Sequence, residues 1–304
     1  MSYLLQTKDL TKFFKKKAAI NKVSLNVKKG DIYGFIGKNG AGKTTFIRVV
    51  AGLARPNSGE IKLFESDNLD LQRSKIGTMI ENPAVYPNLT ARQNLHYYCV
   101  LLGLNPEMTI EPMLSLVGLS DTGKKKAKNF SLGMKQRLAI AIALLGEPEL
   151  LLLDEPMNGL DPAGIREIRE LILKLNKENN ITILISSHIL GELSKIATRY
   201  GVINNGVMVD EFTKEELKTR HAEEIQEIVV DDTVKAFKII KENLGISEDQ
   251  IRVIDDKVIR IINKSDSAGN INTELAKNDI TISSSTIIEQ DLEDYFMKLM
   301  EQTV

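Results

Sequence analysis

The sequence predicts an α/β protein: a layered domain on a parallel sheet, then a small α+β domain. Three observations carry this. Short apolar runs at residues 31–36, 150–153 and 181–185 alternate with helix-spaced segments, the pattern of buried strands joined by helical crossovers. A glycine-rich loop joins the first run to a helix. Beyond residue 222 the patterning changes to strand-helix-strand-strand-helix-strand.

In residues 2–30, Leu4 and then Val23, Leu25 and Val27 alternate with polar positions around a basic turn, Lys15 to Lys17. This reads as antiparallel strands joined by a loop. The apolar run 31–36 enters the glycine-rich loop, and Phe46, Ile47 and Val50 give the next segment helical spacing. From about 87 to 146 the pattern turns helical: Leu95, Tyr98, Cys99 and Leu102, then Met113, Leu116 and Val117, interrupted near Gly103, Pro106 and Gly118. That predicts a helical subdomain inserted between strands. Leu150–Leu153 and Ile181–Ile185 are buried strands flanking a helix over Ile165–Leu175.

The second domain has strands at 225–230, 251–254, 258–262 and 280–282, with helices marked by Val234, Phe237, Ile240 and Leu244 and by Ile271 and Leu275. The order βαββαβ predicts a ferredoxin-like fold. Leu292, Tyr295, Phe296, Leu299 and Met300 form an apolar stripe on a last helix. The expected boundaries are 1–221 and 222–304.

Composition narrows the function. Lys+Arg 40 against Asp+Glu 41 gives a net charge of −1 over 304 residues, against a dedicated nucleic-acid binder. With 42% hydrophobic and 27% charged residues, wholesale disorder is excluded. The one cysteine, Cys99, excludes an internal disulfide framework and is read as core. No apolar stretch approaches the ~20 residues that span a bilayer, and no signal peptide is evident. The expectation is a cytoplasmic protein whose membrane role, if any, comes through a partner.

Three segments carry chemistry. Gly37-Lys-Asn39-Gly40-Ala41-Gly42-Lys43-Thr44 fits G-x-x-x-x-G-K-[ST] between a strand and a helix. Glycines let successive N–H groups converge on phosphate oxygens, and the helix presents its positive end to the same anion. Lys43 adds a point charge at the terminal phosphates, and the Thr44 hydroxyl suits Mg²⁺. Asp154 and Glu155 close a buried strand, where open parallel sheets bind ligands. Asp154 can hold Mg²⁺ through water and Glu155 can polarise an attacking water. Ser131 can cap a helix that begins Ser131-Leu132-Gly133-Met134, a second candidate anion site that hints at sharing between chains.

Together these segments resemble the nucleotide-binding subunits of ATP-binding cassette (ABC) transporters, a P-loop NTPase fold with an antiparallel β subdomain and a helical subdomain. The resemblance covers residues 2–220. Gly37–Thr44, continued by Thr45, resembles the Walker A loop, and Ser131–Met134 with Lys135-Gln136-Arg137 the signature motif. Leu150–Glu155 resembles Walker B, Asn158–Asp161 the D-loop, and His188 the switch histidine. Phe14 stands where the family stacks an aromatic on adenine, with Phe13 as the less favoured alternative.

The resemblance implies ATP and Mg²⁺ as ligands, with Thr44, Glu81 and Asp154 around the metal. Glu155 would be the general base, and His188 would hold the γ-phosphate and the water. Two copies would close head to tail on ATP, each contributing Ser131, Gly133 and Asp161 to the other's nucleotide. A separate membrane permease would complete the transporter.

Two departures stand out. Leu132 replaces the first central glycine of the signature and Met134 its glutamine. In Ile80-Glu81-Asn82-Pro83, a glutamate stands where the family usually has glutamine. Both features are similar to the ATPases of bacitracin-resistance and lantibiotic-immunity exporters. Two other readings stay open at this stage: an importer ATPase whose C-terminal domain regulates it, and a soluble ATPase of this kind acting on ribosomes or DNA. His96, His221 and Cys99 have no metal-ligand spacing.

Overall fold

The computed structural model describes residues 2–81, 85–220, 224–263, 268–289, 295, 296 and 299. The elements in chain order begin β1 (Tyr3–Phe14), β2 (Lys17–Lys28), β3 (Ile32–Ile36), α1 (Lys43–Val50), β4 (Ser58–Leu63), α2 (Leu69–Arg73), β5 (Ile76–Met79), α3 (Ala91–Leu102), α4 (Pro106–Leu116) and α5 (Leu132–Leu144). They continue β6 (Leu150–Asp154), α6 (Pro162–Lys177), β7 (Thr182–Ser187), α7 (Leu190–Leu193), β8 (Arg199–Asn204), β9 (Val207–Thr213) and α8 (Lys214–Arg220). The last are β10 (Glu224–Val230), α9 (Thr233–Asn243), β11 (Ile251–Val253), β12 (Val258–Asn263), α10 (Ala268–Lys277) and β13 (Ile282–Glu289). Contacts divide the chain into two compact units, Met1–Lys214 with Leu299–Val304, and Glu215–Lys298.

The first unit is built on a six-stranded sheet in the order β5-β6-β7-β3-β8-β9. All its pairs are parallel except β8 with β9. β3, β6 and β7 are buried at every position, which is why they read as unbroken apolar runs. Register sets the site. Ile36 pairs with Ser187, Asp154 with Ser186, and Met79 with Leu153. The carboxyl ends of β3, β5, β6 and β7 therefore lie along one edge.

A three-stranded antiparallel sheet, β2-β1-β4, lies in the same unit, and Leu5, Leu10, Val23 and Leu25 share a core with Phe46, Val49 and Leu152. α1 turns Phe46, Ile47, Val49 and Val50 into that core. β4, β5, β8 and β9 are not among the strands expected from sequence. Ser58–Leu63 buries only Ile61 and Leu63, and β9 buries only Phe212. Such edge strands lack the alternation that a sequence reading needs.

The helical segment forms where expected. Thr90 and Gln93 make a reciprocal capping box on α3, and Pro106 opens α4 after the Asn105 cap. Cys99 is fully buried on α3 as a free thiol.

In the second unit the antiparallel sheet runs β11-β12-β10-β13. With α9 and α10 as the connections, this is the β-α-β-β-α-β connectivity of ferredoxin-like layers. Ile228, Val230, Ile240, Ile259, Ile261, Ile271 and Leu275 fill its core. β13 begins at Ile282 rather than Ile280 and extends through Ser283–Ser285, serine-rich residues that carry a ladder without looking like a strand. In the expected last helix, Tyr295, Phe296 and Leu299 are helical, whereas Leu292 and Met300 lie outside the described residues, as does His221.

Candidate functional site

The glycine-rich loop is shaped by its neighbours. A Cβ on Gly37 would run into the Ile203 carbonyl, and one on Gly42 would stand 2.5 Å from the Ala19 carbonyl. Gly42 also has φ 112, a backbone that L side chains avoid. Ala41 O accepts from Gly206 N at 2.9 Å, and Gly206 O accepts from Asn21 N at 2.7 Å. The loop is thus clamped between β2 and the β8–β9 turn.

α1 starts without a side-chain cap and with no acid in its first turn. Its first N–H groups remain available to an anion. By contrast, Ser131 caps α5 through Met134 N (3.2 Å), and Asp161 caps α6 through Gly164 N (3.1 Å).

Lys43 is 5% exposed. Its ammonium donates to Gly37 O (2.5 Å) and Lys38 O (3.2 Å) and pairs with Glu155 Oε1 at 3.1 Å. The other Glu155 oxygen lies 2.8 Å from His188 Nδ1. Glu155 has φ 50, and its N–H donates to Ser186 Oγ (3.0 Å). The left-handed turn directly after β6 swings this carboxylate back over the sheet edge.

Asp154 is almost fully buried. It accepts from Thr44 Oγ1 (2.7 Å) and from Ser186 Oγ (2.6 Å). Two hydroxyl dipoles thus serve a carboxylate that has no ion-pair partner among the described residues. Sequence reasoning did not single out Ser186. Its signal was its place on β7 beside the strand that ends at Asp154.

An ion-pair group follows the histidine in the chain. Glu192, four residues past His188, accepts from Arg169 of α6 and from Lys195, both at 2.6 Å. Burial pushes the Glu192 carboxyl up, but these two cations outweigh it and hold its pKa below the usual value.

Other expected residues lie around this cluster. Phe14 ends β1 half exposed, with Lys12 Nζ 5.4 Å from its ring centre. A Cβ on Gly133 would meet nothing closer than Gly164 Cα and Leu160 Cδ2, both at 3.8 Å. Leu132, the residue that departs from the signature, lies against Gly159 of the turn before α6. Arg137 donates to the Val117 and Gly118 carbonyls and pairs with Glu167 (3.3 Å), locking α5 to α6. Glu81 stands apart from the Lys43–Glu155–His188 chain. It pairs with Arg48 Nη2 at 2.8 Å, a partner that sequence reasoning missed. Asn82 and Pro83 lie outside the described residues.

The donor set at Thr44 and Asp154 fits a hard dication. Both ligands are oxygens, and the carboxylate is buried with only dipoles around it. No group of three or more His, Cys, Asp or Glu side chains able to hold a metal occurs among the described residues. That suits Mg²⁺ held by one or two protein oxygens together with substrate phosphates, rather than a protein cage. Chemically, the edge offers an uncapped helix start and a buried ammonium for phosphates, an oxygen pair for a cation, and a histidine-held carboxylate for a water.

The ABC transporter family model matches residues 20–158. The bacitracin transport ATP-binding protein BcrA of Bacillus licheniformis is 42% identical over 303 residues, covering 99% of this chain and 98% of that protein. The lantibiotic transport ATP-binding protein SrtF of Streptococcus pyogenes is 46% identical over 209 residues, 68% of this chain and 89% of that protein. Among solved structures, an ATP-binding subunit of an ABC transporter is 30% identical with TM-score 0.63, covering 72% of this chain and 93% of that one. A dimeric, post-hydrolysis ATP-binding cassette bound to ADP and Pi is 26% identical with TM-score 0.61, covering 69% and 98%.

Proposed function

This chain belongs to the ABC transporter family as an ATP-binding, ATP-hydrolysing subunit, and from that premise we propose that it powers export of a peptide antibiotic of the bacitracin or lantibiotic kind. The observation that carries the mechanism is Glu155 held between Lys43 (3.1 Å) and His188 (2.8 Å), beside the Thr44–Asp154 pair. The near full-length likeness to BcrA supports the cargo class, and it favours a transport subunit over a ribosome or DNA factor.

The three donors of the Lys43 ammonium now serve Gly37 O, Lys38 O and Glu155. Nucleotide phosphate oxygens would take the place of some of these acceptors, which frees Glu155. The carboxylate then accepts a proton as water oxygen bonds to the γ-phosphorus and the bond from that phosphorus to the β–γ bridging oxygen breaks, releasing ADP and phosphate. His188 holds Glu155 in place and contacts the γ-phosphate. Phe14 stacks on the adenine. Thr44, Asp154 and, once released from Arg48, Glu81 would hold Mg²⁺, which offsets charge on the phosphates.

Head-to-tail pairing of two copies would bring Ser131, Gly133 and Asp161 of one to the nucleotide of the other. Both Ser131 and Asp161 now cap their own helices, so the Ser131 hydroxyl would turn from Met134 N to phosphate. No described helix is long and apolar enough to cross a membrane, so passage of the cargo needs a separate permease, with this subunit peripheral on the cytoplasmic face. The open groove between α3 and α4, lined by Tyr97, Val100, Leu101 and Ile110, suits an apolar helix of that partner. Residues 215–298 act as an accessory domain.

The test is twofold. The purified chain should release phosphate from ATP only with Mg²⁺. Co-expression with its permease should raise bacitracin or lantibiotic tolerance, and the Glu155→Gln variant should not. Tolerance that survives this substitution would refute the coupling.

A further inference from the structure

Arg48 stands one helical turn after Thr44 on α1, so both side chains leave the same face. Thr44 reaches the end of β6 through Asp154 Oδ2 (2.7 Å). Arg48 reaches the end of β5 through Glu81 (2.8 Å). β5 and β6 are parallel neighbours with Met79 paired to Leu153. Glu81 lies two residues past the first, and Glu155 two residues past the second. Three carboxylates, those of Glu81, Asp154 and Glu155, therefore leave one corner of the sheet.

Each has a different partner. Lys43 pairs with Glu155, hydroxyls serve Asp154, and Arg48 alone pairs with Glu81 among the described residues. Glu81 also has φ 59, so the chain turns out of the strand where the ion pair takes hold. A neutral amide at position 81 would need no counter-charge. A carboxylate near a triphosphate does, because like charges at close range repel, and at a half-exposed position screening reduces that repulsion without removing it.

We propose that Arg48 is the positioning residue that permits a glutamate at position 81: Glu81 makes nucleotide binding depend on the divalent cation, and Arg48, by neutralising that carboxylate, limits the dependence. Magnesium is the one other cation in the reaction that can satisfy Glu81. Without it, only Arg48 offsets the repulsion. This inference rests on the ATP-binding reading of the same site. The two side chains are 41% and 55% exposed, so the pair adds little to fold stability, and its consequence lies in binding.

The experiment measures ATP affinity of the full chain by calorimetry, in EDTA and in Mg²⁺, and takes the ratio of the two dissociation constants. R48Q should raise that ratio about twofold to fivefold, the size of one partly screened charge interaction. R48K should restore it. E81Q should lower the ratio below that of the unsubstituted chain, and R48Q/E81Q should match E81Q alone. An unchanged ratio in R48Q overturns the proposal, as does an R48Q effect of the same size in the E81Q background. E81Q alone keeps the experiment decisive should R48Q fold poorly: a ratio equal to that of the unsubstituted chain also overturns the proposal. If the unsubstituted chain binds ATP in neither buffer, the ATP reading itself fails and this inference falls with it.

Discussion

The two units have cores of one kind and edges of different kinds. Residues 1–214 and 215–298 each close a sheet over buried Leu, Ile and Val. In the first unit the carboxyl edge of the parallel sheet gathers Lys43, Asp154, Glu155, Ser186 and His188 into one connected set. In the second, the described ion pairs are surface links such as Arg260–Glu227 (2.8 Å) and Lys241–Glu248 (2.9 Å). The difference lies in strand direction. Parallel strands bring several chain reversals to one edge, where left-handed turns and helix starts can converge. Antiparallel strands deliver their turns to both ends and gather nothing comparable.

Substitutions can break or sharpen this contrast. The largest effect belongs to Glu155→Gln, which removes the carboxylate proposed as proton acceptor. Phosphate release should fall by about 10²–10⁴-fold, while ATP still binds and the chain runs as a dimer on size exclusion with Mg²⁺ and ATP. Normal turnover would mean the base is elsewhere. Lys43→Ala should come next. It removes charge-assisted donors to phosphate and leaves Glu155 without its cation, so ATP affinity should drop about tenfold to a hundredfold by calorimetry. An unchanged affinity would detach Lys43 from the site.

Ile261→Ala tests the other unit. The side chain is fully buried there, and its loss should destabilise the 215–298 unit by about 2–4 kcal/mol in denaturant unfolding. Phosphate release at 25 °C should change less than twofold. A large loss of turnover would show that the second unit governs the edge of the first.

The smallest effect concerns an acid away from the edge. Burial raises the pKa of Glu211, with Asp31 adding to the shift, although Asn26 N–H, the Tyr33 hydroxyl and Arg199 oppose it. A raised folded pKa means the fold binds this proton more tightly than the unfolded chain does. The related stability is present below the unfolded value of about 4.3 and is lost as pH rises through the folded value. At neutral pH the ionised group is a net cost. Glu211→Gln keeps an acceptor for the Tyr33 hydroxyl and should raise the melting temperature slightly at pH 7.5, with a flatter pH dependence. A fall would show that the charge itself is needed by Arg199.

Much of the site was legible because phosphate chemistry restricts residue types. Gly37, Gly42, Lys43 and Thr44 are spaced by a loop that only glycines can shape, and Asp154-Glu155 announces itself at the end of four leucines. Ser186 and Arg48 were silent, because a serine or an arginine has many uses and becomes informative only when its partner is known. β4, β5 and β9, which lie at sheet edges, were silent for a related reason. Partly exposed strands bury few side chains, so their pairing is set by neighbours distant in the chain.

The sequence by itself therefore determined the layered α/β class, the phosphate loop, the acidic strand end and the order of elements in the second unit. These depend on local geometry and on periodicity, which neighbouring residues encode. Only the tertiary structure decided that Glu155 bridges Lys43 to His188, that Ser186 shares Asp154 with Thr44, and that Glu81 is held by Arg48. Those pairings join residues 32 or more positions apart, and the register of parallel strands, rather than any local preference, brings them within hydrogen-bonding distance.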